Sequence, residues 1–238
     1  LDSCVADTQG AIGYQLQKAL DNELGKLGLK KNVATVVTQV EVSPEDPSFC
    51  NPTKPIGSFM SEEDAMYHHE HSGWSVVEDS GRGWRRVVAS PKPLSIVEID
   101  TVRILLDAGC TVIAAGGGGI PVVRNADGEL EGREAVVDKD LAAAILAKNL
   151  KADAFIISTA VEKVCIDFGK STEKALDELS VDKAMAYAAE GQFPPGSMLP
   201  KIQAVVDYVQ TIGGVGIITD PEHLSDAING CGGTRIVR

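Results

Sequence analysis

Four consecutive glycines, Gly116–Gly119, interrupt an apolar segment that runs through residues 111–115 and resumes at Ile120. The β-branched residues before the glycines predict a buried strand that opens into a loop. Glycine has no Cβ and adopts positive φ without strain, so such a loop can bring its backbone N–H groups close to an anion. A tight turn without a ligand is the alternative, although four adjacent glycines would weaken a plain turn through backbone entropy. The pattern therefore favours a ligand-binding loop.

The residues after the glycines exclude two familiar nucleotide-binding motifs. Residues 121–124 are predicted to be extended and residues 125–128 to form a turn, so the glycines lead into a β-hairpin. A dinucleotide-binding loop needs a helix directly after its glycines, because the helix dipole must face the pyrophosphate. The Gly-Lys-Ser/Thr of the Walker phosphate loop is absent as well.

Composition limits the class of protein further. The 238 residues are 44% hydrophobic and carry a net charge of −12. One domain with an insertion, or two small domains, fits this length. Nucleic acids and anionic membranes are not expected as partners, because both need a basic surface. No apolar run approaches the ~20 residues of a membrane span, and the first residues lack the features of a secretory signal.

Cysteine and histidine usage predicts a cytoplasmic protein without a metal site of its own. The five cysteines are widely spaced and form no Cys-x-x-Cys pair, which is typical of reduced thiols. His68, His69 and His71 lie in a charged helical stretch, so we expect surface histidines rather than metal ligands.

The hydrophobic pattern predicts helices and strands that alternate through most of the chain. Helices are expected at residues 9–24, 95–108, 137–150, 181–190, 198–212 and 221–228, and strands at 33–42, 111–115, 154–158, 215–218 and 234–237. Such alternation predicts an α/β fold, a three-layer sandwich with a mostly parallel central sheet and helices on both faces. Residues 1–42 and 94–238 would form this domain.

Residues 43–93 differ in composition and are predicted to form an inserted lid subdomain. They contain six prolines and both tryptophans. Ser61 begins a short helix with capping-box spacing, and strands are expected at Trp74 and Trp84. Lys54 lies close to prolines on both sides, so its backbone is stiff, and it would suit a lid that closes over a charged substrate.

Two further lysines lie at predicted helix starts. Lys139 stands between Asp138 and Asp140; the acids suit the N-terminus of a helix, whereas a cation there is unfavourable, so Lys139 is either aimed at an anion or an exposed lysine. Lys201 follows Ser197, a candidate N-cap, so backbone amides, helix dipole and ammonium would together form a phosphate site. A solvated lysine on the helix flank is the alternative.

Taken together, these segments resemble a carbamate kinase of the amino-acid-kinase family. The resemblance covers nearly the whole chain and includes Thr8–Tyr14, Thr38–Val42, Asn51–Gly57, Gly83–Val88, Ala115–Val122, Val137–Ala142, Val161–Lys170 and Gly196–Lys201. The lid motif Asn-Pro-Thr-Lys-Pro-Ile-Gly, the Asp-Lys-Asp motif and Gly-Ser-Met-x-Pro-Lys are specific to carbamate kinases in combination, whereas any one glycine run is a weak signal.

The resemblance implies reversible phosphoryl transfer between ADP and carbamoyl phosphate, with Mg²⁺, giving ATP and carbamate. It assigns catalysis to Lys139, Asp140 and Lys201, with Asp140 orienting the lysines. It implies no metal ligand among the side chains, a homodimer, and a role in arginine metabolism. The residues implied to bind carbamate or carbamoyl phosphate are Lys54, Gly116, Gly117, Gly118 and Gly119. The residues implied to bind the nucleotide are Thr159, Ala160, Val161, Val164, Gly196, Ser197, Met198 and Lys201.

Two departures from the family pattern define the alternatives. Family members begin with a strand and a Gly-Gly-Asn loop that this chain lacks, which predicts a fragment incomplete at its N-terminus. A truncated member that binds ADP or carbamoyl phosphate without turnover is therefore a second hypothesis. Related kinases outside the carbamate group often carry an acid where Ala160 stands, so no metal or ribose contact is assigned to that side chain. A third hypothesis, an acetylglutamate-kinase-like enzyme, is disfavoured by the proline-rich lid.

Overall fold

The computed structural model of the chain describes residues 1–79 and 81–238 and divides into two compact units, Leu1–Lys139 and Asp140–Arg238. The helices of the first unit are α1 (Asp2–Lys26), α2 (Glu62–Ser72) and α3 (Ile99–Asp107). Its strands are β1 (Val33–Thr35), β2 (Gln39–Val42), β3 (Lys54–Met60), β4 (Ser75–Glu78), β5 (Trp84–Val88), β6 (Pro93–Ile96), β7 (Thr111–Ile113), β8 (Ile120–Arg124) and β9 (Leu130–Gly132).

The described residues of the first unit form three separate sheets. Strand β1 pairs in parallel with β7, and a four-stranded sheet has the order β6-β2-β8-β9, in which β2 and β8 are parallel. The third sheet is antiparallel, with the order β3-β5-β4. The predicted hairpin after the glycines is confirmed, because β8 and β9 pair antiparallel on either side of the turn at residues 125–128.

Two predicted elements of this unit are wrong in detail. The single strand predicted at residues 33–42 is two strands, because residues 36–38 leave the ladder and β1 and β2 join different sheets. The helix predicted at residues 95–108 is instead strand β6 followed by α3. The Glu98 carboxylate accepts hydrogen bonds from both the backbone and the side-chain N–H groups of Gln39, at 2.7 and 2.8 Å, so this segment is held against β2 until α3 begins at Ile99.

The segment predicted as a lid contains α2 and the β3-β5-β4 sheet. The expected cap is confirmed: Ser61 accepts the Asp64 N–H at 3.1 Å and α2 begins directly after it. The antiparallel pair β4–β5 at the tryptophans is confirmed as well, whereas β3 was not predicted. The treatment of residues 43–93 as a separate domain stays a prediction.

Helix α4 (Lys139–Leu150) begins at the last residue of the first unit, and the rest of it belongs to the second unit. Its other helices are α5 (Val181–Ala189), α6 (Met198–Ile212) and α7 (Leu224–Ile228), and its strands are β10 (Ala154–Ser158), β11 (Val164–Ile166), β12 (Lys174–Leu176), β13 (Glu178–Ser180), β14 (Val215–Thr219) and β15 (Thr234–Val237). Strands β10, β14, β15 and β13 form one sheet, and β11–β12 is a separate hairpin. Strands β11, β12 and β13 were missed by the sequence analysis.

Helix α6 is the best-buried helix of this unit. It packs so closely on β14 that a Cβ added at Gly216 would lie 2.0 Å from Val205. Tyr208 is fully buried, packs 5.5 Å from the Phe155 ring and donates its hydroxyl to the Ala152 carbonyl at 2.5 Å. This packing fixes the helix that carries Lys201. The alternation of helices with strands confirms the α/β class, and no helix in the described residues is both long and apolar enough to cross a bilayer.

Candidate active site

The glycine loop divides into a buried half and an exposed half. Gly118 and Gly119 are buried, and their N–H groups donate to the carbonyls of Ala115 and Gly116 at 3.0 and 3.1 Å. A Cβ at Gly118 would lie 2.2 Å from the Val137 carbonyl oxygen, so this glycine is required by the close approach of two backbones. Gly116 and Gly117 are exposed. The exposed half is therefore the part of the loop that can meet a ligand.

A buried polar network holds the start of this loop. The side chain of Gln9 in α1 makes two hydrogen bonds to the Thr38 backbone. Its amide nitrogen donates to the Thr38 carbonyl at 3.1 Å, and its oxygen accepts the Thr38 N–H at 2.8 Å. The Thr38 hydroxyl accepts the Ala115 N–H at 2.9 Å and donates to the Val36 carbonyl at 2.8 Å. Ala115 has φ +53°, a left-handed conformation that a residue with a Cβ rarely adopts. The network therefore stabilises a strained residue at the entrance to the glycines.

Removing the Thr38 hydroxyl is expected to weaken this loop. Thr38→Val keeps the shape of the side chain but leaves the Ala115 N–H without its acceptor, which costs about 1–3 kcal/mol of stability. If the loop binds carbamoyl phosphate, as the family resemblance implies, the KM for that substrate should rise while the KM for ADP stays constant, as steady-state kinetics and thermal unfolding would show. Thr38→Ser keeps the hydroxyl and is the matched control. Equal kinetic losses in the two variants would contradict a role for the hydroxyl.

The two aspartates of the Asp-Lys-Asp motif each pair with a distant lysine, one in each unit. In the first unit, Lys54 Nζ lies 3.0 Å from Asp138 Oδ2. In the second unit, Lys201 Nζ donates to Asp140 Oδ2 at 2.8 Å. Both members of the second pair are buried, with side chains 11% and 9% exposed. Such a pair holds its ammonium in one geometry, because a buried charge that loses its partner is costly.

Lys139 itself is exposed at the first position of α4. The sequence placed it between two carboxylates, but those carboxylates pair with Lys54 and Lys201. No hydrogen bond or ion pair joins the Lys139 side chain to the residues that the structure describes. Its ammonium is therefore available to an anionic ligand.

A cavity of about 190 Å³ in the second unit contains most of the predicted nucleotide-binding residues. Its lining includes Thr159, Ala160, Val161, Ser197, Met198 and Lys201. Two predicted residues do not line it: Val164 is fully buried in β11, and Gly196 is exposed nearby in the chain. Lys201 therefore shares one cavity with most of the predicted nucleotide-binding residues.

Four residues line this cavity that the sequence analysis missed: Lys163, Cys165, Phe168 and Pro194. The hydrogen bond from its ammonium to Asp177, at 2.7 Å, raises the pKa of Lys163, which keeps the charge at this wall of the cavity. Burial, with the Glu173 carboxylate nearby, raises the pKa of the Cys165 thiol, so it stays protonated and weakly nucleophilic at neutral pH. Phe168 is 65% exposed, and its place beside Gly169 in a polar turn was a signal visible in the sequence.

The predicted N-cap at Ser197 is wrong in its chemistry. Ser197 occupies the position before α6, but its side chain makes no capping hydrogen bond. The two backbone N–H groups that usually donate to an N-cap side chain are not available here. The Leu199 N–H donates to the Pro194 carbonyl at 3.1 Å, and the next residue, Pro200, has no N–H. Ser197 instead lines the cavity.

The histidines of α2 make contacts within the lid segment. His68 stacks on Trp74 at 4.2 Å and His71 stacks on Tyr67 at 4.3 Å. The Nδ1 of His69 lies 2.7 Å from the Trp74 carbonyl oxygen. Within residues 1–79 and 81–238, no group of three or more His, Cys, Asp or Glu side chains is arranged to hold a metal ion.

Comparison with known proteins identifies the class of protein to which this site belongs. The sequence pattern of the amino acid kinase family matches residues 22–219. The chain therefore belongs to the amino acid kinase family.

Within this family the chain groups with the carbamate kinases. It is 52% identical, over its whole length and 75% of the relative, to the carbamate kinase-like protein YahI of Escherichia coli. It is 51% identical to a carbamate kinase of Lentilactobacillus hilgardii, with the same coverage of both chains. A solved structure of the carbamate kinase from Giardia lamblia bound to AMP-PNP matches with a TM-score of 0.91 and 42% identity, over 99% of this chain and 75% of that chain.

Proposed function

We propose that the chain transfers a phosphoryl group reversibly between carbamoyl phosphate and ADP, giving carbamate and ATP. The observation that carries this proposal is the buried Lys201–Asp140 pair, of which Lys201 lines the cavity of the second unit. The Giardia lamblia relative binds AMP-PNP, an analogue of ATP, and six of the predicted nucleotide residues line this cavity. We therefore assign the cavity to the nucleotide and Lys201 to its phosphates.

Phosphoryl transfer depends on positioning and charge neutralisation more than on covalent chemistry. In the proposed mechanism Lys201 stabilises the negative charge on the transferred group, and Asp140 fixes its ammonium. Lys139, exposed at the start of α4, binds a phosphate oxygen. The backbone N–H groups of Gly116 and Gly117 bind carbamate or carbamoyl phosphate, and Lys54 provides the cation on the lid side.

Mg²⁺ fits this proposal as part of the nucleotide substrate. Magnesium keeps several waters and is commonly held by substrate phosphates with one or two carboxylates. The two aspartates of the motif already hold lysines. The metal, held by phosphate oxygens, would neutralise the charge on the nucleotide. The proposal further includes a cytoplasmic homodimer that acts in arginine metabolism, and the five free cysteines suit a reducing compartment.

A coupled assay for ATP formed from ADP and carbamoyl phosphate tests the proposal. The wild-type chain is expected to form ATP, and Lys139→Ala is expected to lower kcat/KM by at least about tenfold, because a cation at the phosphates is lost. Lys139 is exposed, so thermal unfolding of this variant should match the wild type. Lys183→Ala, which changes an exposed lysine of α5, is the control.

The same assay distinguishes the alternatives. A non-catalytic member of the family is the second candidate, because one relative at 52% identity is named only carbamate kinase-like. Saturable ADP binding without ATP formation would favour it over the enzyme. Phosphorylation of acetylglutamate in preference to carbamate would favour a different carboxylate kinase of the family.

A further inference from the structure

The first aspartate of the Asp-Lys-Asp motif, Asp138, has no role in the mechanism above. The sequence suggested an ordinary acid in the first turn of a helix. In the structure it lies one residue before α4 begins, and Lys54, 84 residues away in the sequence, donates to its Oδ2 at 3.0 Å. The Asp138 side chain is only 16% exposed, so this carboxylate is not a solvated surface group.

Backbone contacts place this ion pair beside the glycine loop. Lys54 is the first residue of β3 and pairs with Val88 of β5. The next residue, Ala89, bridges to Ala135, and its carbonyl accepts the Val136 N–H at 2.9 Å. The following residue is Val137, whose carbonyl oxygen touches Gly118. A continuous run of contacts therefore joins the β3-β5-β4 sheet (the lid sheet), residues 135–138 and the glycine loop within the first unit.

The ammonium of Lys54 can bind an anion while it keeps this partner. An ammonium has three donors, and Asp138 Oδ2 takes one of them. The Lys54 side chain remains 35% exposed. A lysine side chain is a long, flexible stem, and a fixed carboxylate limits the positions that its charge can occupy. Asp138 thus orders the lysine before any substrate arrives.

We propose that Asp138 is a positioning residue, which holds the Lys54 ammonium on the glycine-loop side of the first unit for contact with carbamoyl phosphate. The assignment rests on the proposed function for the identity of that substrate. The two aspartates of the motif then have separate tasks: Asp138 orients the lid lysine, and Asp140 orients Lys201.

A double-mutant cycle tests this division. With Lys54 present, Asp138→Asn is expected to lower kcat/KM for carbamoyl phosphate by at least about tenfold, because the cation loses its position. In the Lys54→Met background, the same change should cost less than about twofold, because the residue that Asp138 positions is already gone. The KM for ADP should be unchanged, and Asp138→Glu should recover part of the activity. Equal losses in the two backgrounds, or no loss in the first, would overturn the proposal.

Glu134 provides a matched control, because it pairs with another residue of the same β3-β5-β4 sheet. It pairs with Arg86 of β5, which also lies over the Trp74 ring. Glu134→Gln thus removes another ion pair between the lid sheet and the segment before α4, without touching Lys54. Its effect should be small and the same in both Lys54 backgrounds. A coupling between Glu134→Gln and Lys54→Met as large as that of Asp138→Asn would mean that any lid contact matters, which would refute a specific role for Asp138.

Chemical labelling separates this proposal from the enzymatic one. The rate at which acetic anhydride acylates Lys54, followed by peptide mass spectrometry, should rise about threefold or more in Asp138→Asn, because the flexible side chain is no longer held against the carboxylate and becomes more accessible to the reagent. Lys183 labelling should not change. A wild-type chain that makes no ATP would refute the proposed function, whereas an unchanged Lys54 labelling rate would refute the positioning role.

Discussion

Lys201→Met is expected to lower kcat by about 10²–10³-fold and to destabilise the fold by about 3–5 kcal/mol. The catalytic loss follows because the cation at the nucleotide cavity disappears. The loss of stability follows because Asp140, whose side chain is 9% exposed, loses the ammonium that balances its charge. Coupled-assay kinetics and urea unfolding would measure the two effects.

Two further variants separate catalysis from folding. The double variant Asp140→Asn with Lys201→Met removes both charges, so most of the stability should return while the activity stays lost. Lys148→Met is the matched control, because Lys148 of α4 pairs with Asp207 of α6 between the same two helices but at the surface. It should cost less than about 1 kcal/mol and leave turnover unchanged. Full activity in Lys201→Met would refute the role of Lys201.

Gly118→Ala is expected to destabilise the first unit by about 2–5 kcal/mol, the combined effect of a residue with a Cβ at positive φ and of overpacking. The new Cβ would lie 2.2 Å from the Val137 carbonyl oxygen and 2.9 Å from its carbon, and backbone atoms cannot move aside as a flexible side chain can. Because this contact leads directly to Asp138 and Lys139, the KM for carbamoyl phosphate should rise as well. Thermal unfolding and kinetics would show both effects.

Gly117→Ala is the control within the same loop. Gly117 also has positive φ, +68°, but no atom lies within 4 Å of its added Cβ. Only the conformational cost remains, about 1–2 kcal/mol. If the two alanine variants were equally stable, the close approach of the loop to Val137 would be wrong.

The sequence predicted which segments form helices and strands better than the residues at which these elements begin or are interrupted. The amphipathic pattern found α1, α4 and α6, and the glycines followed by a hairpin were found because each signal lies in one short stretch. The break at residues 36–38 was missed because it depends on Gln9 of another element, which accepts the Thr38 N–H and shares the Thr38 carbonyl with the Ile120 N–H. Helix α3 starts later than expected because Glu98 bonds to Gln39, 59 residues away. Such competition is invisible to periodicity.

The candidate active site, too, could be predicted only where the signal lay in neighbouring residues. Lys54, Lys139 and Lys201 could be singled out from their neighbours in the chain, and family resemblance supplied their roles. Their partners could not be predicted locally, because Asp138 and Asp140 look like ordinary acids at a helix start. Lys163 and Cys165 were missed because only the fold turns them toward the cavity. The exposed ring of Phe168 was the one missed feature with a local signal, next to the glycine of a turn.

The adjacency of the three motif residues has a consequence for how the chain can evolve. Lys54 and Lys201 lie far from the motif in sequence, so the loops that lead to them can lengthen or shorten while each lysine keeps its place. The stretch Asp138-Lys139-Asp140 has no such freedom. One residue inserted or deleted within this stretch would place the ammonium of Lys139 where a carboxylate now pairs with Lys54 or Lys201. Insertions should therefore accumulate elsewhere among descendants of this gene, and the spacing of these three positions should outlast almost everything around it.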